Sequence, residues 1–428
     1  MRQLLTLILL FTSLTFSQEK LTVIKGARVI PIDKPEIENG VVAFQNGIIV
    51  YAGKADGFSI PSDAEVIEGN GKVVMPGLID THSHIGGGDG GDASSALHPD
   101  VRILDAIDPL SPSFMRARSG GITSVNIMPG SGHLMSGQTV YVKTRKTNKI
   151  EEMLFCDDPV NDVCGGLKMA NGTNSKRPAP FPETRGKSAA MVRQLFIDAI
   201  DYKSKMEKSP ATTKRDLGKE TLVQVLEKKR IVQHHTHRSD DILTVIRLAK
   251  EFNLDVVLHH VSEGYLVADR IAEAKIPCSA IMIDAPGGKL ETVKLSLEIG
   301  AILEKAGVDV AFHTDDYITD SRLFLRSAAL AVRGGMSVPK ALEALTLAGA
   351  RMMGVEGRTG SLTKGKDADI IILSGDPLSV YTKVEKTFVD GSVVYDYSNP
   401  EDRKFVNGGY RVYRDNTIHS CHEDHLWD

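Results

Sequence analysis

The sequence has no basic run and no excess of positive charge. Its 51 lysines and arginines stand against 55 aspartates and glutamates, a formal net charge of −4. Nucleic-acid binding needs a cationic footprint, so that class of partner is excluded. Cysteine is scarce, four in 428 residues, and none has the spacing of a cysteine-ligated zinc site. No Gly-x-Ser-x-Gly elbow occurs, so the chain offers no serine-nucleophile pattern of that kind. Beyond the N-terminus no apolar run is long enough to cross a bilayer.

The N-terminal run itself is short. Arg2 precedes an apolar core, Leu4–Phe11, and small and polar residues continue to Gln18. This reads as a secretory signal peptide at 1–17, cleaved after Ser17, and implies a secreted or periplasmic protein. A buried N-terminal strand or helix is the alternative. In an oxidising compartment Cys156 and Cys164, eight apart in FCDDPVNDVCGG, could form a disulfide; four free or buried thiols is the other reading. Cys278 falls in an expected barrel strand and Cys421 in the tail.

What is present is ordinary globular composition, 42% hydrophobic and 25% charged. The length allows one barrel of roughly 250 residues plus a smaller domain. Leu21–Val74 alternates apolar and polar residues between Gly and Asn-Gly turns, as short strands do. The segments GSLTKGKDADIIILSGDPL and VEKTFVDGSVVYD near the other end read the same way. Together the two ends suggest a small composite β-sandwich, at 20–74 and 358–397. Between them, over 75–357, strands alternate with helical patterns, which argues for parallel βα units. Strand ends are expected near His84, Pro129, Lys143, Ala170, His235, His260, Ile283 and Asp315. Ser239 is expected as a helix N-cap, and Ser337–Ala350 as one helix. Asn171–Lys187, polar and proline-rich, reads as a long loop above the barrel. The remainder, 398–428, is a polar tail whose His419, Cys421, His422 and His425 read as surface.

One stretch organises the rest: VVMPGLIDTHSHIGG, Val73–Gly87. Residues i and i+2 of a strand point the same way, so His82 and His84 share a face at the end of a buried strand. Two such imidazoles can share a metal ion, and imidazole suits zinc; a satisfied or surface pair is the bland alternative. More candidates stand at later strand ends: His234, His235 and His237; His259 and His260; His313 and Asp315. A (β/α)8 barrel gathers strand ends at one mouth, which gives scattered histidines meaning.

The first-strand segment resembles the signature of the amidohydrolase superfamily, metal-dependent hydrolases on a (β/α)8 TIM-like barrel. The nearer resemblance is to its imidazolonepropionase-like branch, from about Leu21 to about Tyr395. The resemblance implies the composite β-sandwich as well. It matches family metal ligands to His82, His84, His235 (in His235–Ile242, HTHRSDDI), His260 (before Ser262-Glu263-Gly264) and Asp315. Lys168, in GGLKMA, matches the lysine that becomes a carbamate bridging two ions in two-metal relatives; a lysine snorkelling to the surface is the alternative. His234, His259 and His313 then take supporting places, and His237 either meets substrate or packs. Thr173 stands where the family usually has glutamate. His133, in the pocket-shaping loop Pro129–Gln138, stands where relatives often carry asparagine.

The implied chemistry is hydrolysis of a carbon–nitrogen bond by water on one or two divalent ions, zinc foremost. Asp315 would take and return the proton, and His259 or His237 would hold the oxyanion. Cyclic amides, dipeptides or acyl-amino acids, and toxin amides all stay open as small-molecule or short-peptide substrates. Deamination is less favoured, because strand five lacks a His-x-x-Glu pattern. A prolidase- or carboxypeptidase-like peptidase and a non-catalytic metal-binding relative are the competing readings. Homo-oligomerisation stays open.

Overall fold

The computed structural model describes residues 20–88, 90–283, 289–316 and 318–407. The expected signal peptide lies outside the described residues, as does the part of the tail from 408 on that bears its histidines and Cys421; the start of the tail, expected to be without regular structure, forms a helix, Pro400–Asn407. Five strands open the chain: β1 (Thr22–Val29), β2 (Ile37–Gln45), β3 (Ile48–Lys54), β4 (Glu65–Glu68) and β5 (Val73–Pro76). Nine follow in the middle: β6 (Leu78–Ser83), β7 (Ile122–Ile127), β8 (Met135–Gln138), β9 (Val140–Lys143), β10 (Leu167–Ala170), β11 (Val232–Thr236), β12 (Val256–His260), β13 (Cys278–Ile281) and β14 (Val310–His313). Three close it: β15 (Ile370–Leu373), β16 (Val384–Val389) and β17 (Ser392–Asp396).

The two chain ends build one eight-stranded sheet, β17-β16-β15-β5-β1-β2-β3 with β4 also on β1. The β2–β3 hairpin turns at Asn46-Gly47, both at positive φ (51° and 76°), which Asn-Gly tolerates where most residues would strain. β5 and β15 join the ends, antiparallel, with Val74 opposite Ile372 and Met75 opposite Ile371. Ile24, Val42, Phe44, Ile49, Val74, Ile370 and Phe388 form the apolar core beneath.

The central strands form two ladders, β14-β13-β12-β11-β10-β8 and β6-β7-β9. β10 to β14 run parallel to one another, and β6 runs parallel to β7. The expected third strand, Gln138–Lys143, departs from the parallel pattern. It is split at Thr139, and β8 and β9 run antiparallel to their neighbours β10 and β7. The cause is a close chain crossing. Thr139 N–H donates to the Gly166 carbonyl (2.9 Å), and a Cβ on Gly165 would sit 2.0 Å from the Thr139 oxygen. β14 returns beside β6, where Asp315 N–H donates to the His82 carbonyl (2.9 Å).

Two helix expectations are corrected. The helix Ser239–Phe252 is capped by Arg238, so Ser239 is its first helical residue. Glu263 takes the capping role, accepting from Ser239 N–H (3.0 Å) and hydroxyl (3.1 Å). The expected single helix over Ser337–Ala350 is two, Val338–Ala344 and Leu347–Met353. The break lies where the Leu345 carbonyl accepts from Ile79 N–H of β6 (2.9 Å) instead of continuing the helix. The expected loop Asn171–Lys187 is a loop only as far as Thr184; the helix Arg185–Lys208 takes its last three residues. Cys156 and Cys164 are disulfide-bonded, and Cys278 is a buried free thiol. No helix among the described residues is long and apolar enough to cross a membrane.

Candidate metal centre

The strand ends of β6, β11, β12 and β14 place a cluster of imidazoles around one carboxylate. His82 and His84 project together from β6 and its end, as the two-residue repeat requires. Asp315, just past β14, has Oδ1 at 3.0 Å from His84 Nε2 and 3.4 Å from His82 Nε2. His260, the last residue of β12, has Nδ1 4.0 Å from Asp315 Oδ2 and a ring centroid 4.7 Å from that of His82. His235 and His237 complete the far side, their centroids 4.4 and 4.8 Å from that of His260. Lys168, on β10, is fully buried, with Nζ 3.0 Å from His82 Nε2. Three donor groupings are close enough for an ion: His82-His84-Asp315, His235-His237-His260 and His82-His260-His313.

The donor chemistry fits a metal. His84 Nδ1–H donates to the Met128 carbonyl (2.8 Å), which leaves the lone pair of a neutral imidazole at Nε2, facing Asp315. Two lone pairs across 3.0 Å require a cation between them, a proton or a metal ion. On the other side His235 Nδ1 and His260 Nε2 are buried without a hydrogen-bond partner among the described residues. Buried polar atoms normally find one. Burial, first, and mutual repulsion hold His82, His235 and His260 far below the ordinary histidine range, so these rings are neutral and able to ligate. Burial pushes Asp315 up, but a proton held between it and His84, with the neighbouring positive charge, outweighs that and holds its carboxyl well below the usual range; a metal ion in the same gap would act in the same sense.

The remaining candidates sit around this cluster. His259 lies under it, its ring 5.0 Å from that of His82, and its Nε2–H donates to Gln233 Oε1 (2.7 Å). His237 Nδ1 pairs with the Ser262 hydroxyl (2.8 Å). His234 faces the other way, its Nδ1–H on the His235 carbonyl (2.9 Å). His133 is buried, with neither ring nitrogen hydrogen-bonded among the described residues, and packs against Phe181. Thr173 N–H donates to Glu291 (3.0 Å), while Asn174 Nδ2 reaches His235 Nε2 (3.3 Å).

Comparison with known proteins bears directly on this arrangement. The amidohydrolase family profile matches residues 277–395. A solved structure of an amidohydrolase from Thermotoga maritima is 34% identical, covers 88% of this chain and 100% of its own, and superimposes with a TM-score of 0.82. The chain belongs to the amidohydrolase superfamily. Within it the placement is imidazolonepropionase-like: imidazolonepropionase of Rhizobium rhizogenes is 26% identical over 81% of this chain and 90% of its own. The amidohydrolase TasK of Hapsidospora irregularis is 24% identical over 83% of this chain, which spans only 40% of the length of TasK. The α/β class is the one expected, and the structural neighbours are amidohydrolase barrels with a β-sandwich domain; here the central strands pair as two ladders, with β8 and β9 antiparallel to their neighbours.

Several residues of the site escaped sequence reasoning. Asp80, in the Asp-x-His-x-His run, accepts from Thr314 N–H (3.0 Å) and from His82 N–H (3.3 Å), tying the two ligand-bearing strands together. Burial pushes its carboxyl up to about 7. Gln233, Ser279 and Thr81 are buried beside the cluster, Gln233 on His259, Ser279 on His313 and Thr81 on Ser279. Nothing in the pattern singles out an isolated serine or glutamine inside an apolar strand, and only the register between strands reveals them.

Proposed function

We propose that this amidohydrolase cleaves a carbon–nitrogen bond of a small-molecule or short-peptide amide, using water activated by one or two divalent ions, zinc foremost. The observation that carries the reading is the convergence of His82, His84 and His260 on Asp315, with His235 against His260 on the far side. These residues would hold the metal, with Lys168 joining them as a carbamate if two ions are present. When bound, such an ion lowers the pKa of water from 15.7 to about 7 and polarises an amide carbonyl. Asp315, held ionised, accepts the proton of the attacking water and delivers it to the leaving nitrogen. His237, fixed by Ser262, stands beside His235 and His260 and offers a hydrogen bond to the tetrahedral oxygen. Burial of every one of these groups excludes bulk water from the proton's path.

Export belongs to the same proposal. The Cys156–Cys164 disulfide supports it, since such bonds persist in oxidising compartments. N-terminal sequencing that begins at Met1 removes the cleavage. The catalytic reading is tested by a hydrolysis screen over amides, lactams and dipeptides with chelator controls. Asp315→Asn is expected to keep metal and lose turnover by about 10²- to 10⁴-fold. Undiminished hydrolysis in that variant refutes the role of Asp315. A metal-loaded wild type inactive across the screen favours a non-catalytic metal-binding relative.

A further inference from the structure

Next to the imidazole cluster three polar side chains are buried among strands where barrels of this kind are usually filled by branched aliphatic side chains. Thr81 on β6, Ser279 on β13 and His313 on β14 are all fully buried there. They form one chain of contacts. The Thr81 hydroxyl lies 3.3 Å from the Phe312 carbonyl and 2.6 Å from the Ser279 hydroxyl. Ser279 Oγ is 2.7 Å from His313 Nδ1, and His313 Nε2 is 3.1 Å from His260 Nδ1.

We infer that Thr81, Ser279 and His313 are positioning residues that set the tautomer of His260, placing its proton on Nδ1 and leaving Nε2 bare for a divalent metal ion. The inference rests on the metal reading above for its purpose, but not for its geometry. A backbone carbonyl only accepts, so Thr81 donates to Phe312. Thr81 then has no proton left for Ser279, and two oxygens 2.6 Å apart need one between them, so Ser279 donates to Thr81. Ser279 in turn has none left for His313, so His313 Nδ1–H donates to Ser279. His313 Nε2 is thereby a bare acceptor, and His260 Nδ1–H donates to it. The opposite polarity would put the His260 proton on Nε2. That atom is buried and has no hydrogen-bond partner among the described residues, and a buried N–H left unsatisfied is disfavoured. Both ends of the chain therefore select the same direction. A neutral imidazole coordinates through its unprotonated nitrogen, and fixing the tautomer through a neighbouring group raises metal affinity.

The test starts with the intact, metal-free protein labelled with ¹⁵N-histidine. Long-range ¹H–¹⁵N spectra, assigned with His260→Gln, report the tautomer at pH 8. A protonated Nδ1 with a pyridine-like Nε2 is expected; a protonated Nε2 overturns the inference whether or not metal binds. The second arm measures zinc affinity by chelator competition in wild type, Ser279→Ala, Ser279→Thr and Thr81→Val, each checked for folding by thermal unfolding. Ser279→Ala is expected to weaken zinc about 10- to 100-fold and to mix the His260 tautomers, while Ser279→Thr restores both. Folded Ser279→Ala with unchanged affinity and an unchanged tautomer also overturns it. A correct tautomer in a protein that binds no zinc leaves the relay standing and removes the metal reading instead.

Discussion

Lys143 ties the central strands to the terminal sheet, and its removal makes a quantitative test of the packing. It is the last residue of β9 and fully buried, yet carries a charge. Its ammonium lies 2.6 Å from Asp367 and 3.0 Å from Asp369 and also contacts Asp390. All three aspartates come from the C-terminal part of the terminal sheet and its approach. Asp369 is almost completely buried, and Asp390 also pairs with Arg145 (2.6 Å). Burial alone would lower the lysine pKa, but the three carboxylates outweigh it and raise it. Lys143→Met keeps the stem and deletes the charge, leaving Asp369 and Asp390 to repel one another. Breaking a buried ion pair from one side costs about 3–5 kcal/mol. With an unfolding entropy near 2.1 cal/mol/K per residue over roughly 400 residues, that corresponds to a fall in Tm of about 4–6 °C. Differential scanning calorimetry reads it. Adding Asp369→Asn should recover part of the loss, because it removes the most buried of the stranded charges. A Lys143→Met protein melting within about 1 °C of wild type would refute the reasoning.

Three further outcomes can be measured alongside it. Lys168→Met should reduce bound zinc per chain, and bicarbonate should raise metal loading in wild type only; equal metal content in both proteins removes Lys168 from the site. Burial lowers the His133 pKa to about 4 from an unfolded value near 6.5, so its contribution to stability is complete above pH 6.5 and is lost as pH falls toward 4. The loss by pH 4.5 should be about 2–3 kcal/mol and should be absent in His133→Asn, as read by urea unfolding at both pH values. Burial chiefly, and the charge of Lys289 in addition, hold the His237 and His235 imidazoles neutral, and Lys289 has no carboxylate partner among the described residues. Lys289→Met should raise KM about tenfold for N-acyl amino acids but not for their carboxamides; parallel changes in both count against it as a carboxylate-binding residue.

The legible part of this molecule was whatever a strand or turn announces locally. Alternation placed β1 to β3 and β15 to β17. The two-residue repeat brought His82 and His84 together, and the apolar runs before His235, His260 and Asp315 marked strand ends. The illegible part depends on contacts between distant segments. No local signal shows that the Leu345 carbonyl would be claimed by Ile79, splitting a helix, or that residues 164–166 would cross Thr139 and split a strand. Glu263 replaced Ser239 as a cap for the same reason: the competing acceptor came from another element.

The doubled histidines make the sharpest case. A regular strand sends consecutive side chains to opposite faces, so of His259 and His260 only one should reach the barrel interior. For His234 and His235 that rule holds, with His234 turned away onto a backbone carbonyl. For His259 and His260 it fails: both rings lie within 5.0 Å of the ring of His82. The backbone gives the reason. His260 has a φ of 70°, Val261 follows at 46°, and Asp315 stands at 50°. The left-handed turn lifts His260 out of the pleat, so that its imidazole points inward beside its neighbour's. Such a conformation costs a non-glycine residue roughly 1–2 kcal/mol, and here it falls on a proposed metal ligand and on the proposed proton carrier. Strain of that size is retained where surrounding contacts over-determine it, and those contacts are present: the His313–His260 hydrogen bond on one strand, and Asp315 N–H to the His82 carbonyl between two others. The fold therefore holds these two side chains in place before any ligand arrives.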